Sequence, residues 1–179
     1  NRLLGFIRRG SGRKQQDQPA TSIDFAELEL ALGYTIRRHA YFSEALAHRS
    51  YLQVSENEST LSNERLEFLG DAVLNLVVAE FLFRTRTDAH EGDLTKIRSR
   101  LVNRKALSVY AREMQLGDFM LMSPSTAQME GKGMDTILAD AFEAVIGAIY
   151  LDGGFFPAKQ FIERQVDVAV RRGIVRIED

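Results

Sequence analysis

The sequence predicts an all-α domain, and three observations carry that expectation. Residues 63–84 and 135–152 read as two long, mostly apolar helices with no internal proline. No segment shows the period-2 alternation of a half-buried strand. Only three prolines fall in 179 residues, which leaves room for long helices. The expected architecture is a helical bundle around two buried central helices, with no internal repeat.

The elements follow in order. Residues 11–19, Ser-Gly-Arg-Lys-Gln-Gln-Asp-Gln-Pro, read as a linker. From Ser22 the pattern turns helical, with Phe25, Leu28 and Leu32 at helical spacing and Gly33 as a stop. A short helix is expected over 41–48 and a polar loop over 52–62. Residues 63–84 form one helix about 33 Å long. It is apolar over most of its circumference, which predicts a central, buried position. After a turn at 85–92 come helices near 93–102 and 104–115, then a loop over 116–134 rich in Gly, Ser and Met. The second central helix, 135–152, stops at Gly153-Gly154. Pro157 suits the first turn of a last helix running to about Arg172.

Composition narrows the function. Apolar residues make up 45% and charged residues 27%, the ordinary range for a folded soluble domain. There is no cysteine, which excludes thiolate metal sites, thiol nucleophiles and disulfides. Three histidines, His39, His48 and His90, make a histidine-rich metal centre an unsuitable reading. The stretch 137–151 contains Asp140 and Glu143 and is too short to span a bilayer. The net charge is −2, unevenly distributed. Residues 1–22 hold five basic groups and one acid, and the remainder eighteen and twenty-four. Residues 1–22 are therefore read as a basic N-terminal arm and linker, with the end of a transit peptide as the alternative. The bulk of the chain is no polycation, so nucleic-acid binding has to use a local patch.

The informative residues are acids on apolar helices. Glu67 and Asp71 are four apart and share one face of the first long helix, about 6 Å from each other. Asn63 and Asn75 extend that stripe by a turn each way. Asp140 and Glu143, three apart, share a face of the second, with Gly147 one turn on, where another element can approach. A buried ionised carboxylate costs several kcal/mol unless compensated. If the two stripes face each other, four acids converge, and a divalent cation is the simplest compensation. An oxygen-only ligand set points to Mg²⁺, with Mn²⁺ as a substitute. The blander reading is that each acid faces solvent or pairs with Arg65, Arg98 or Arg100. A di-iron carboxylate bundle needs Glu-x-x-His pairs, and no histidine lies three residues after any of these acids.

The residues around these acids carry a family resemblance. Asn-Glu-Arg-Leu-Glu-Phe-Leu-Gly-Asp at 63–71 resembles the signature of the ribonuclease III family. His48-Arg49-Ser50 resembles its short upstream motif, and Glu-Gly-Asp-Leu-Thr-Lys-Ile-Arg at 91–98 its middle one. Residues 137–154, from Ile137-Leu138-Ala139-Asp140 to Gly153-Gly154, resemble its last motif. The four motifs stand in the family's order, and the resemblance runs from about 24 to 172.

The resemblance implies a helical endonuclease domain over 23–172, acting as a homodimer on double-stranded RNA. It implies that Glu67, Asp71, Asp140 and Glu143 bind the metal, and that Glu64 and Glu91 take accessory roles at the cleavage site. Phe68 matches a residue that inserts into a socket on the partner subunit. The implied products have 5′-phosphate and 3′-hydroxyl ends, from processing of ribosomal and other RNA precursors in the cytoplasm. Lys96, Arg98, Arg100, Arg104, Lys105 and Lys132 are candidate phosphate contacts. Two departures stand out. Met134 replaces a basic residue common just before the last acidic helix. Bacterial members also continue into a double-stranded-RNA-binding domain, and residues 173–179 read as a tail or the start of the linker to one. The alternative function is a non-catalytic, ribosome-associated or RNA-binding relative. Such relatives lose the acids, and all four are present here.

Overall fold

The structure, a computed structural model, describes residues 22–173. The expected basic arm over 1–22 and tail over 173–179 lie outside this range except for Ser22 and Gly173. Helix α1 (Phe25–Leu32) is capped by Asp24, whose Oδ1 accepts from the amides of Ala26 at 3.0 Å and Glu27 at 3.1 Å. It stops at Gly33, which takes the left-handed conformation. Helix α2 (His39–Ala45) starts two residues before the expected segment and ends before His48, where the chain enters a 3₁₀ turn at Arg49–Gln53. Then come α3 (Glu64–Thr85), α4 (Glu91–Val102) and α5 (Arg104–Glu113), close to the spans read from sequence.

The expected loop over 116–134 is more structured than its composition suggests. It holds a 3₁₀ turn at Leu116–Phe119 and a one-turn helix α6 (Pro124–Ala127) capped by Ser123. Its buried methionines, Met120 and Met122, join the core. Helix α7 (Lys132–Gly153) begins three residues earlier than expected, and α8 (Phe155–Arg171) completes the domain. Among the described residues there is no β-strand, only an isolated bridge between Ala47 and Leu121. Through that bridge the His48 amide donates to Leu121 O and the Leu121 amide donates to Leu46 O, both at 2.9 Å. The stretch between α2 and α3 is thereby tied to the loop ahead of α7.

Helix α7 is the centre of the molecule. Ile137, Leu138, Phe142, Val145, Ile146 and Ile149 are all buried, and α2, α3, α5 and α8 pack around it. The closest approach is between α3 and α7, where Gly70 and Gly147 face each other. A Cβ on Gly70 would lie 1.7 Å from the Glu143 carbonyl oxygen, and one on Gly147 would lie 2.5 Å from that of Leu66. The two backbones are in direct contact, and only glycine fits at these two positions.

The expectation for α3 needs correction. Its inner face, Leu66, Val73, Leu74, Val77, Val78 and Leu82, is buried, but it is not enclosed all round. Phe68, Leu76 and Phe83 are 81%, 58% and 74% exposed. An isolated sequence cannot distinguish a helix surrounded by its own chain from one with a second apolar face left open.

A buried carboxylate that the sequence reading did not single out fastens the far end of α7. Asp152 accepts from the Tyr34 hydroxyl at 2.8 Å and from the amides of Arg37 and Arg38 at 2.9 Å. It holds the α1–α2 connection, and its satisfied oxygens mark it as structural. Burial, together with the neighbouring Asp152 charge, pushes the Tyr34 hydroxyl up to about 12.

Candidate metal centre

The first turns of α3 carry Glu64, Glu67 and Asp71, and the third and fourth turns of α7 carry Asp140 and Glu143. Because Gly70 and Gly147 let the backbones touch, three of these side chains, from both helices, meet at the crossing. Carboxylate oxygens of Glu67, Asp140 and Glu143 lie within 4.8 Å of one another. All three residues are half-buried. Asp71 is exposed and outside this trio, and the Asn75 amide donates to its Oδ1 at 2.7 Å.

The trio is under electrostatic load. Burial pushes the Glu143 carboxyl up to about 8, and the charges of Asp71, Glu67 and Asp140 push in the same direction. Asp140 is raised by burial, with Arg104, His48 and Arg49 pulling the other way. Glu67 is raised by burial and by Asp140 and Glu64. A cation relieves every one of these penalties, so the arrangement suits a divalent ion with oxygen ligands.

The counter-charge present is Arg104, whose Nη2 stands 3.8 Å from Asp140 Oδ1. Among the described residues this contact comes from Arg104 rather than from Arg65 or Arg98. Arg104 opens α5, forty residues from Glu64, and sequence spacing gave no signal for this contact. Among the other candidate phosphate contacts, Lys96 stands 3.8 Å from Asp93, while Lys105 and Lys132 are exposed.

Beside the trio lies a cleft of about 980 Å³. Glu64, Glu67 and Asp140 line one part of it, and His48, Ser50, Asn63, Ser123 and Thr126 line another. Glu64 is held by the Ser62 hydroxyl, which donates to Oε2 at 2.8 Å. Glu91 is not at this cleft. It lies at the start of α4, in a second groove with Leu76, Phe83 and Leu94. Phe68 faces a third groove, lined by Tyr41, Leu61, Leu69 and Leu151.

The pattern of the Ribonuclease-III-like family matches residues 39–168, a span that contains the trio and its cleft. The chain belongs to the ribonuclease III family. It is 44% identical over 134 residues to ribonuclease 3 of Campylobacter concisus, an alignment covering 75% of this chain and 57% of that protein. It is 50% identical over 123 residues to ribonuclease 3 of Syntrophomonas wolfei, covering 69% and 52%. The chain thus spans somewhat more than half the length of these curated relatives. Among solved structures it resembles the nuclease domain of ribonuclease III from Campylobacter jejuni, with 42% identity and a TM-score of 0.74. That match covers 83% of this chain and 99% of the other, whose structure is described as flexible in a region involved in dimer formation. The ribonuclease III fold assigned to this chain therefore rests on both sequence and shape. Among the described residues no helix is long and apolar enough to cross a membrane.

Proposed function

We propose that residues 23–172 are the catalytic unit of a ribonuclease III that hydrolyses the phosphodiesters of double-stranded RNA. Glu67, Asp140 and Glu143, with Asp71 alongside, would hold Mg²⁺, or Mn²⁺ as a substitute. The observation that carries this reading is the meeting of three carboxylates from two helices pressed into backbone contact. The donor set fits a hard divalent ion, since it is all oxygen and the chain has no cysteine. When bound, that ion supplies Lewis-acid chemistry to the phosphodiester.

The chain's own residues do the rest. Asp71 lies one turn from Glu67 and adds negative charge at Glu143, deepening the attraction for a cation. Glu64, fixed by Ser62 at the edge of the cleft, orients a water toward the phosphate. Arg104 and Lys105 open α5 at the same end of the molecule and clamp the RNA backbone. Arg104 leaves Asp140 as the phosphate arrives. The products carry 5′-phosphate and 3′-hydroxyl ends.

The active form is a homodimer in the cytoplasm, acting on duplex segments of ribosomal and messenger RNA precursors. The exposed Phe68 and the apolar groove beside it support a partner subunit on this face. Glu91 stands in a separate groove of the same chain, so its accessory role belongs to a site completed across the dimer.

The test is cleavage of a synthetic RNA duplex with Mg²⁺, Mn²⁺ or chelator, followed by end-group analysis. Metal-dependent cuts leaving 5′-phosphates are expected. Cleavage that persists in chelator, or no cleavage with either metal, would overturn the proposal.

A further inference from the structure

Beside the carboxylates the cleft is lined by His48, Ser50, Asn63, Ser123 and Thr126. His48 is half-buried there, and its Nδ1 accepts from the Ser50 amide at 3.2 Å. A main-chain N–H can only donate, so Nδ1 carries no hydrogen and the ring hydrogen sits on Nε2. The Ser50 hydroxyl lies 2.8 Å from the same nitrogen, and its oxygen accepts from the Ser123 amide at 3.0 Å. Donor directions therefore run one way, from Ser123 to Ser50 to His48. Both of these contacts use Nδ1; no hydrogen bond of Nε2 is found among the described residues, and His48 lines the cleft. A second observation concerns Asn63, which is 3% exposed and lines the same cleft. Its Nδ2 is the buried side-chain polar atom left without a hydrogen bond among the described residues. Polar groups held in place but unsatisfied mark a wall shaped for a ligand.

The charges decide which group of an RNA binds there. The cleft is lined by one cation, Arg49, against the three carboxylates Glu64, Glu67 and Asp140. A phosphate oxygen is disfavoured in that field away from the metal. A neutral hydroxyl, which accepts from Nε2–H and donates to a neighbouring oxygen, fits it.

We propose that His48 Nε2–H donates to the 2′-hydroxyl of a ribose flanking the scissile phosphate, so that His48 is a specificity residue favouring RNA over DNA. Ser50 and Ser123 act as positioning residues that fix the tautomer. The inference rests on the endonuclease reading above and deepens it.

The experiment combines His48→Ala and His48→Gln with a set of RNA duplexes, each carrying one 2′-deoxy nucleotide near a mapped cut. A second set carries single methylphosphonates. One 2′-deoxy position should cost the wild-type chain roughly five- to tenfold in kcat/KM, the worth of one hydrogen bond. At that position the penalty should vanish in His48→Ala and persist in His48→Gln, whose amide restores a donor. Coupling of His48 to a methylphosphonate position instead, or no coupling anywhere with RNA still cut, overturns this assignment alone. A wild-type chain that cuts no duplex RNA overturns the endonuclease reading and this inference together. The wild-type substrate series needs no variant, so a misfolded His48→Ala does not decide the matter.

Discussion

The contact of α3 and α7 at Gly70 and Gly147 is a sharp place to perturb this protein. In Gly70→Ala the new Cβ meets the Glu143 carbonyl oxygen at 1.7 Å, against 3.4–4 Å for ordinary contact. Neither partner is a side chain that can swing away, so the helices must part by about 1.5–2 Å. Overpacking of this kind costs about 1–3 kcal/mol where side chains adjust. Here backbone meets backbone along the central helix pair, so about 3–4 kcal/mol is expected, offset by less than about 1 kcal/mol of helix propensity. For a domain of this size that lowers Tm by roughly 10 °C. The same displacement pulls Glu67 away from Glu143, and a misplacement near 1 Å at a catalytic centre costs about 10²-fold in rate. Gly147→Ala, with its nearest atom at 2.5 Å, should be milder. Gly92→Ala is the control. It lies in α4 with no heavy atom within 4 Å of its Cβ, and should be neutral or slightly stabilising. Denaturation midpoints and initial cleavage rates of the three variants give the order. A Gly70→Ala protein within about 0.5 kcal/mol of wild type, or a Gly92→Ala protein equally damaged, would refute the account of the crossing.

Other perturbations probe the charges and surfaces. Glu143→Gln should abolish or greatly reduce Mg²⁺-dependent cleavage while the fold persists; near-normal activity would remove Glu143 from the ligand set. Because its folded carboxyl is raised from 4.5 to about 8, metal-free wild type should lose stability as pH rises across that window and level off above it. Glu143→Gln should escape the loss and gain about 1–2 kcal/mol at pH 8, well below the unscreened value because water reaches the carboxylates. Melts of both proteins in chelator from pH 5 to 9 measure it, and parallel curves would contradict it. Phe68→Ala should leave the protomer fold intact, since the ring is exposed, but weaken the dimer by about 2 kcal/mol and lower activity with it. Sedimentation showing an unchanged dimer at low micromolar concentration, with full activity, would count against that. Binding of duplex RNA should be weak and fall steeply with salt, because phosphate contacts supply it. Duplex DNA should be a poor substrate, and salt-insensitive binding or equal cutting of DNA would refute this view of recognition.

Much of the fold was legible because it follows from local rules. The 3.6-residue periodicity located every long helix, and Gly33 and Gly153-Gly154 marked real stops. The pairing of α3 with α7 was foreshadowed by acids on apolar faces and by Gly147. What stayed hidden depends on long-range geometry. Arg104 faces Asp140 across thirty-six positions, and nothing in its neighbourhood signals that contact. Asp152 drew no notice within the last motif, yet it anchors the α1–α2 connection. Residues 116–134 looked like an open loop because Gly, Ser and Met are ambiguous, but burial of Met120 and Met122 orders them. The outward face of α3 misled for the reverse reason, since apolar composition says a face is to be covered without saying by what.

That uncovered face and the strained trio belong to one design. Glycine at the crossing brings two helices close enough for carboxylates from both to share a few ångströms of space. The closeness raises Glu143 and makes the metal-free site repulsive. The domain tolerates the repulsion because it does not rely on these residues for its core. Ile137, Phe142 and Val145 are buried on the same α7 turns that bring Asp140 and Glu143 to the trio. On α3, Leu66, Val73 and Leu74 are likewise buried beside Glu67 and Asp71. Each central helix thus presents one face to the core and another to the site, and α3 offers a third, carrying Phe68, outward. Glu67 and Phe68 are neighbours on α3, so the proposed metal site and the exposed apolar face are two sides of one helix.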